Sequence, residues 1–293
     1  MSPRMTDTDH GDPHSAMVSS RHHGTLPERL FTGLGAVVVI GLLWRSGTSR
    51  TTLTAAGLWV AYALGVVQTT SASRFRLLIN YFAVWAFYGG SSFAIEALGL
   101  PLHHEQLLAW DRILFGETPG VAGQGHAPGW LNDLLSAGYL SYHVYLHWVL
   151  AQALWKSDAW RAAYSRVLFT AFGVGFIGYF VFPAGDPRVA FPELYSHPVE
   201  GGLMTRFNHW IVGNLAAKYD AFPSVHILVT TAMLACDWRW NRTRMWIMVI
   251  PSLFMVASTL LLRLHFAVDL LAGAGLAVGV LALVRIREVR IDD

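Results

Sequence analysis

Apolar blocks long enough to cross a bilayer recur along this chain, separated by short connectors that carry arginine, and few folds accept that pattern. The blocks fall at 30–44, 53–67, 77–98, 134–155, 167–182, 224–238, 245–262 and 266–284. A hydrocarbon core needs about 20 apolar residues of helix to span it. Inside it, every backbone N–H and C=O must find its partner within its own segment. The expected fold is therefore all-α, a polytopic membrane bundle of about eight transmembrane helices. Charge agrees with this, because charged residues make up 14% of the 293, where a soluble domain carries about 25%. Twelve Trp and ten Tyr, many near block ends, suit the aromatic belts of membrane interfaces. A soluble protein with a large buried core is the competing reading, and the regular recurrence of the blocks weighs against it.

The blocks also divide the chain. Residues 1–26 are polar, without apolar period, and are expected to form a disordered tail. Residues 27–70 make an additional N-terminal transmembrane hairpin, and 77–290 a six-helix catalytic membrane core. Orientation follows from Lys and Arg in short connectors. Arg74 and Arg76, then Lys156, Arg161 and Arg166, then Arg239, Arg242 and Arg244, then Arg285, Arg287 and Arg290 all fall on one side of an eight-helix path. That side is expected to be cytoplasmic, so connectors 100–133, 183–223 and 263–265 face the other way. Arg45 and Arg50 lie on the non-cytoplasmic side, against the bias. The net charge of +2 comes with no basic stripe for nucleic acid. One cysteine, Cys236, excludes an intrachain disulfide and any multi-cysteine metal site.

Ionisable residues within spans are functional by default, and Glu96 and Asp269 stand out. Asp269 follows His265 by four residues in "LRLHFAVDLLAG", so the two side chains share one helix face. The carboxylate can hold one imidazole nitrogen and free the other as nucleophile or base. A structural His–Asp bond that closes the bundle accounts for the pair equally well on its own. The path of the chain brings company to it. "FPSVH" opens the block at 224 with His226, and "FPAGDPR" follows the block ending at 182 with Arg188. All three elements face the same membrane side. Pro223 suits a first helical turn, and Ser224 with the free N–H groups of that turn makes an anion site. Arg188 and Arg263 are forked donors matched to phosphate oxygens. Two histidines supply a nucleophile and a proton donor.

This set resembles the type 2 phosphatidic acid phosphatase superfamily, whose signatures are KxxxxxxRP, PSGH and SRxxxxxHxxxD. "PSVH" at 223–226 is similar to the second, and "STLLLRLHFAVD" at 258–269 to the third in Ser258, His265 and Asp269. Thr259 stands where the third signature has Arg, and Val181 where the first has Lys. The variant motifs, with "DRILFGETP" at 111–119, look like the branch containing inositol phosphorylceramide synthase. The resemblance implies His265 as the nucleophile on phosphorus, Asp269 as its orienting partner and His226 as the acid–base. It implies Arg188, Ser224 and Arg263 as phosphate ligands, a phosphohistidine intermediate and no metal or other cofactor. The partners implied are a phospholipid donor and a lipid or alcohol acceptor, or water. The branch favours a phosphotransferase moving a headgroup such as phosphoinositol. The rivals are a phosphatase acting on phosphatidic acid or a polyprenyl (pyro)phosphate, and a lipid-binding or transport protein with a degenerate site.

Other signals are weaker. His143 and His147, one turn apart, are expected to hydrogen-bond within the bundle or line a cavity rather than hold a metal. Glu96 is expected to pair with an arginine, with a headgroup hydroxyl as the alternative. The tail histidines His10, His14, His22 and His23 are expected to be solvated. The segments 102–118 and 203–215 have the spacing of interfacial helices, which either lid a lipid entrance or simply lie on the bilayer.

Overall fold

Helices form wherever the sequence places an apolar block. In the computed structural model, which describes residues 24–286, eight long helices occupy the eight expected positions. They are α1 (Leu26–Ser46), α2 (Arg50–Gln68), α3 (Arg74–Leu98), α6 (Gly129–Trp155), α7 (Asp158–Val181), α10 (Val225–Trp240), α11 (Arg242–Leu261) and α12 (Ala267–Leu283). Four of them, α1, α2, α7 and α11, are long and apolar enough to cross a membrane, and α12 is apolar but shorter. The connectors 100–133 and 183–223 hold α4 (His104–Phe115), α5 (Pro119–Ala122), α8 (Pro187–Ala190) and α9 (Leu203–Leu215). The four tail histidines, and Arg287 and Arg290, lie outside the described residues.

Several helices start earlier than their apolar blocks. α7 begins at Asp158 rather than 167, because Ser157 accepts a hydrogen bond from the Trp160 N–H and caps a polar first turn. Ser49, Ser73 and Asn241 cap α2, α3 and α11 in the same way. An apolar period cannot register such turns.

The core lies between α7, α10 and α12, with Phe169, Phe176, Leu228, Val229 and Met233 fully enclosed. α6 packs along α11, and the α1–α2 hairpin packs on α3 and α7. At the end where α7 begins and α10 finishes, a buried Arg244–Asp237 ion pair takes hydrogen bonds from the Tyr145 and Tyr164 hydroxyls at 2.7 and 3.1 Å. Asp237 lies inside the 224–238 block, and the sequence reading gave it no weight. At the same end Glu28 of α1 pairs with Arg76 of α3 at 3.1 Å and accepts from the Asn80 amide. Arg161 bridges the two regions by donating to the Ala72 carbonyl.

Candidate functional site

The opposite end of the bundle holds the histidines. α12 starts beside α10, and the Ser224 N–H donates to the backbone carbonyl of Asp269 at 3.2 Å. A Cβ on Gly273 would stand 2.5 Å from the Ser224 carbonyl oxygen, and one on Gly178 would stand 2.1 Å from Cδ of Pro223. Only glycine admits so close an approach at these positions, so the two residues let α7 and α12 grip the start of α10. The Phe222–Pro223 peptide is cis.

This contact brings His226 to His265. Nδ1 of His226 lies 3.3 Å from Nε2 of His265, and Oγ of Ser224 lies 3.4 Å from that same Nε2. On the far side of the ring, Nδ1 of His265 faces Oδ2 of Asp269 and the carbonyl oxygen of Ala221, both at 3.2 Å. Two acceptors at Nδ1 require that nitrogen to carry the proton, which leaves a lone pair on Nε2 of the neutral ring. Asp269 is fully buried, and its Oδ2 also accepts from the Phe266 N–H at 3.0 Å, so the carboxylate is fixed before it orients the ring. Ser224 does not cap its own helix with its side chain; its buried hydroxyl faces Nε2 of His265 instead.

Electrostatics around His265 are dominated by carboxylates. Burial disfavours its charged form, but Asp269, Asp220 and Asp186 outweigh that and hold the imidazole above its ordinary value. Burial also pushes Asp220 up to about 6, against the hydrogen bond it accepts from the Tyr88 hydroxyl at 2.7 Å. Asp186 is raised by burial, with Arg188 and His265 pulling the other way. His226 projects into a cavity of about 90 Å³ between α3, α6, α7 and α9, walled by Trp85, Tyr88, Tyr139, Tyr142 and Phe172. The Tyr139 and Tyr142 rings stand 4.9 and 4.7 Å from the His226 ring.

The remaining expected residues fall at different distances from this centre. Arg188 pairs with Asp186 at 3.3 Å, and Asp186 in turn feels the His265 charge, so Arg188 stands one carboxylate away from the histidines. Arg263 is buried, its guanidinium donating to the His197 carbonyl at 2.6 Å and lying over the Tyr195 ring at 4.5 Å. His143 lines the His226 cavity. His147 is occupied, accepting from the Tyr81 hydroxyl at 3.0 Å and donating to the His143 carbonyl at 2.7 Å. Glu96 pairs with Lys218 at 3.0 Å rather than with an arginine, since the loop after α9 lays Lys218 and Tyr219 beside it.

Sequence reasoning passed over Asp111, Asp220 and Tyr88. Asp111 is fully buried on α4, accepting from the Ala267 and Val268 N–H groups at 3.0 and 2.8 Å and from the Thr118 hydroxyl at 2.6 Å. It caps α12 two residues beyond His265. Its signal was an aspartate in a segment noted only for its likeness. Asp220 and Tyr88 left no local pattern, being 132 positions apart.

A family model described as the PAP2 superfamily matches residues 105–283. Neither a curated protein nor a solved structure matches the chain.

Proposed function

We propose, from the premise that the chain belongs to the PAP2 superfamily, that it is a lipid phosphotransferase. It would move a phospho-headgroup, for example phosphoinositol, from a phospholipid to a lipid or alcohol acceptor on the non-cytoplasmic side. The observation that carries the reading is the commitment of His265 Nδ1 to Asp269 and Ala221, with Nε2 turned to His226. In the first step the Nε2 lone pair forms a bond to phosphorus while the bond to the lipid oxygen breaks. His226 gives that oxygen its proton. Asp269 stabilises the charge that stays on the phosphorylated ring. In the second step His226 takes the acceptor's hydroxyl proton, the acceptor oxygen bonds to phosphorus, and the N–P bond breaks to restore His265.

Ser224, the N–H groups at the start of α10 and Arg188 would hold the non-bridging oxygens, with Arg263 as a further donor. No metal is assigned a part. The cavity beside His226 supports an acceptor with an apolar portion, because aromatic walls disfavour bulk water there. The motifs' likeness to the inositol phosphorylceramide synthase branch favours the same choice. Residues 77–290 would form the catalytic unit, and 27–70 an addition to it.

The test incubates purified protein with labelled phosphatidylinositol plus ceramide or diacylglycerol, with and without a chelator. A new labelled phospholipid, formed equally with chelator, is the expected outcome. Release of inositol phosphate with no new lipid would make water the acceptor, and release of free phosphate from labelled phosphatidic acid in a parallel incubation would identify a phosphatase. Retention of lipid without turnover, unchanged in His265→Ala, would identify a binding protein with a degenerate site.

A further inference from the structure

A second cavity, larger than the one beside His226, is separated from it by α3. It measures about 340 Å³ and lies between the α1–α2 hairpin, α3 and the last turn of α7. Engineered cavities of less than half that volume bind small apolar ligands, and ligand pockets start at about 300 Å³. Its walls are aliphatic and aromatic, with Val39, Trp59 and Phe87 among them, and exposed Leu58 and Phe93 at its rim. Gly90 lines it, and a Cβ there would meet no atom within 4 Å. The space is therefore open where a side chain would otherwise stand.

One end of this apolar cavity is charged. Arg50 lines it together with the hydroxyl-bearing Thr51 and Thr54. Among the described residues no hydrogen bond or ion pair engages the guanidinium of Arg50 or of Arg45. Both belong to the histidine end of the bundle. Arg45 lies against Gly99 at the end of α3, whose following loop bonds to Pro183 through His103, and Leu42 packs with Leu98 and Phe180. These two arginines also break the charge bias of the connectors. A cation held at a membrane interface with no protein partner, above a hydrocarbon-lined slot, matches a phosphate joined to an acyl chain.

We propose that this cavity is a second lipid site, distinct from the catalytic cavity and divided from it by α3. It takes one chain of an anionic phospholipid from the leaflet on the histidine side, with the phosphate at Arg50. Val84, Trp85 and Tyr88 of α3 face the catalytic slot, whereas Ala83, Phe87 and Gly90 face this one. The site does not depend on the phosphotransferase reading.

The test measures lipid retention on the full chain by native mass spectrometry, titrating delipidated protein with phosphatidylglycerol and, separately, with phosphatidylcholine. The expected result is one tightly held phosphatidylglycerol that survives Arg188→Gln. Arg50→Gln should weaken it about tenfold, as the loss of one charge-assisted contact predicts, without affecting phosphatidylcholine. Gly90→Leu should weaken both lipids, since it fills the slot and favours the helix. Equal binding by native protein, Arg50→Gln and Gly90→Leu would overturn the proposal. So would loss of the lipid in Arg188→Gln alone, or its displacement by millimolar inorganic phosphate.

Discussion

Arg263, one residue past the Leu262 cap of α11, has a backbone φ of +64°, a conformation that costs a side-chain-bearing residue about 1–2 kcal/mol. Glycine usually fills such a position. The arginine persists because its guanidinium is held by the His197 carbonyl and the Tyr195 ring, and the turn it makes delivers His265 two residues later. Two roles can be separated by substitution. Arg263→Gly keeps the turn and removes the cation, whereas Arg263→Gln keeps a side chain and the strain. If the cation serves the phosphate, both variants lose at least tenfold in kcat/KM; if only the turn matters, Arg263→Gly stays near native activity. His265 yields a second expectation. Its imidazole is held above its ordinary value mainly because carboxylates outweigh burial, and as nucleophile it must be unprotonated. If His265 is the nucleophile proposed above, activity should then fall as pH drops through a limb above about 6.5, the ordinary value. Asp269→Asn should move that limb to lower pH while lowering kcat by orders of magnitude. A limb that stays in place in Asp269→Asn would remove His265 as the titrating group.

Among the elements, α4 is the one whose purpose emerges only from the fold. It exposes Trp110 and Ile113 and buries Leu107, Leu108 and Asp111, so its inner face serves as a clamp on the N-terminus of α12. Asp111→Ala would strand two buried N–H groups, each worth about 1–3 kcal/mol, two residues from His265. The expected result is a kcat at least tenfold lower with KM little changed, and partial recovery in Asp111→Asn, which keeps one acceptor. A parallel fall in folded yield and no change in kcat would make the clamp purely structural. The apolar blocks made the eight long helices legible, because lipid leaves a spanning backbone no alternative to helix. The His265–Asp269 pairing was legible too, although His265 precedes the Phe266 N-cap, so the two meet across the start of α12 rather than along one helix face as the spacing had implied. What α4 does was not legible, because a carboxylate capping a helix 156 positions away leaves no trace in local spacing. The early start of α7 was hidden for a related reason: a Ser157 cap and a polar first turn carry the helix outside its apolar stretch. The partners of Arg263 were equally hidden, since they come from a distant connector.

At the scale of the whole molecule, three buried polar cross-links stand at the end opposite the reactive groups. Asp237–Arg244 with its two tyrosines, Glu28–Arg76 and the Arg161–Ala72 bond tie the helices together at one end. The histidines lie at the other, together with the Arg188–Asp186 and Glu96–Lys218 pairs and the Tyr88–Asp220 hydrogen bond. The hairpin lies outside the 105–283 match and is joined to the frame through Glu28, whose side chain is only 2% exposed. Arg76 also donates to the Val66 and Thr69 carbonyls of α2, so one guanidinium gathers α1, α2 and α3. Glu28→Ala would leave that guanidinium buried without its counter-charge, and breaking a buried pair in this way costs about 3–5 kcal/mol. Replacing both members, in Glu28→Leu with Arg76→Met, removes the charge along with its partner and should recover much of the loss. Thermal unfolding followed by tryptophan fluorescence in detergent would measure this, with the single variant melting well below native and the double variant between the two. Catalytic turnover should survive in the double variant, because its substitutions lie at the far end of the bundle from His226 and His265. A double variant as unstable as the single one would mean that the carbonyl contacts of Arg76, not its ion pair, hold the hairpin in place.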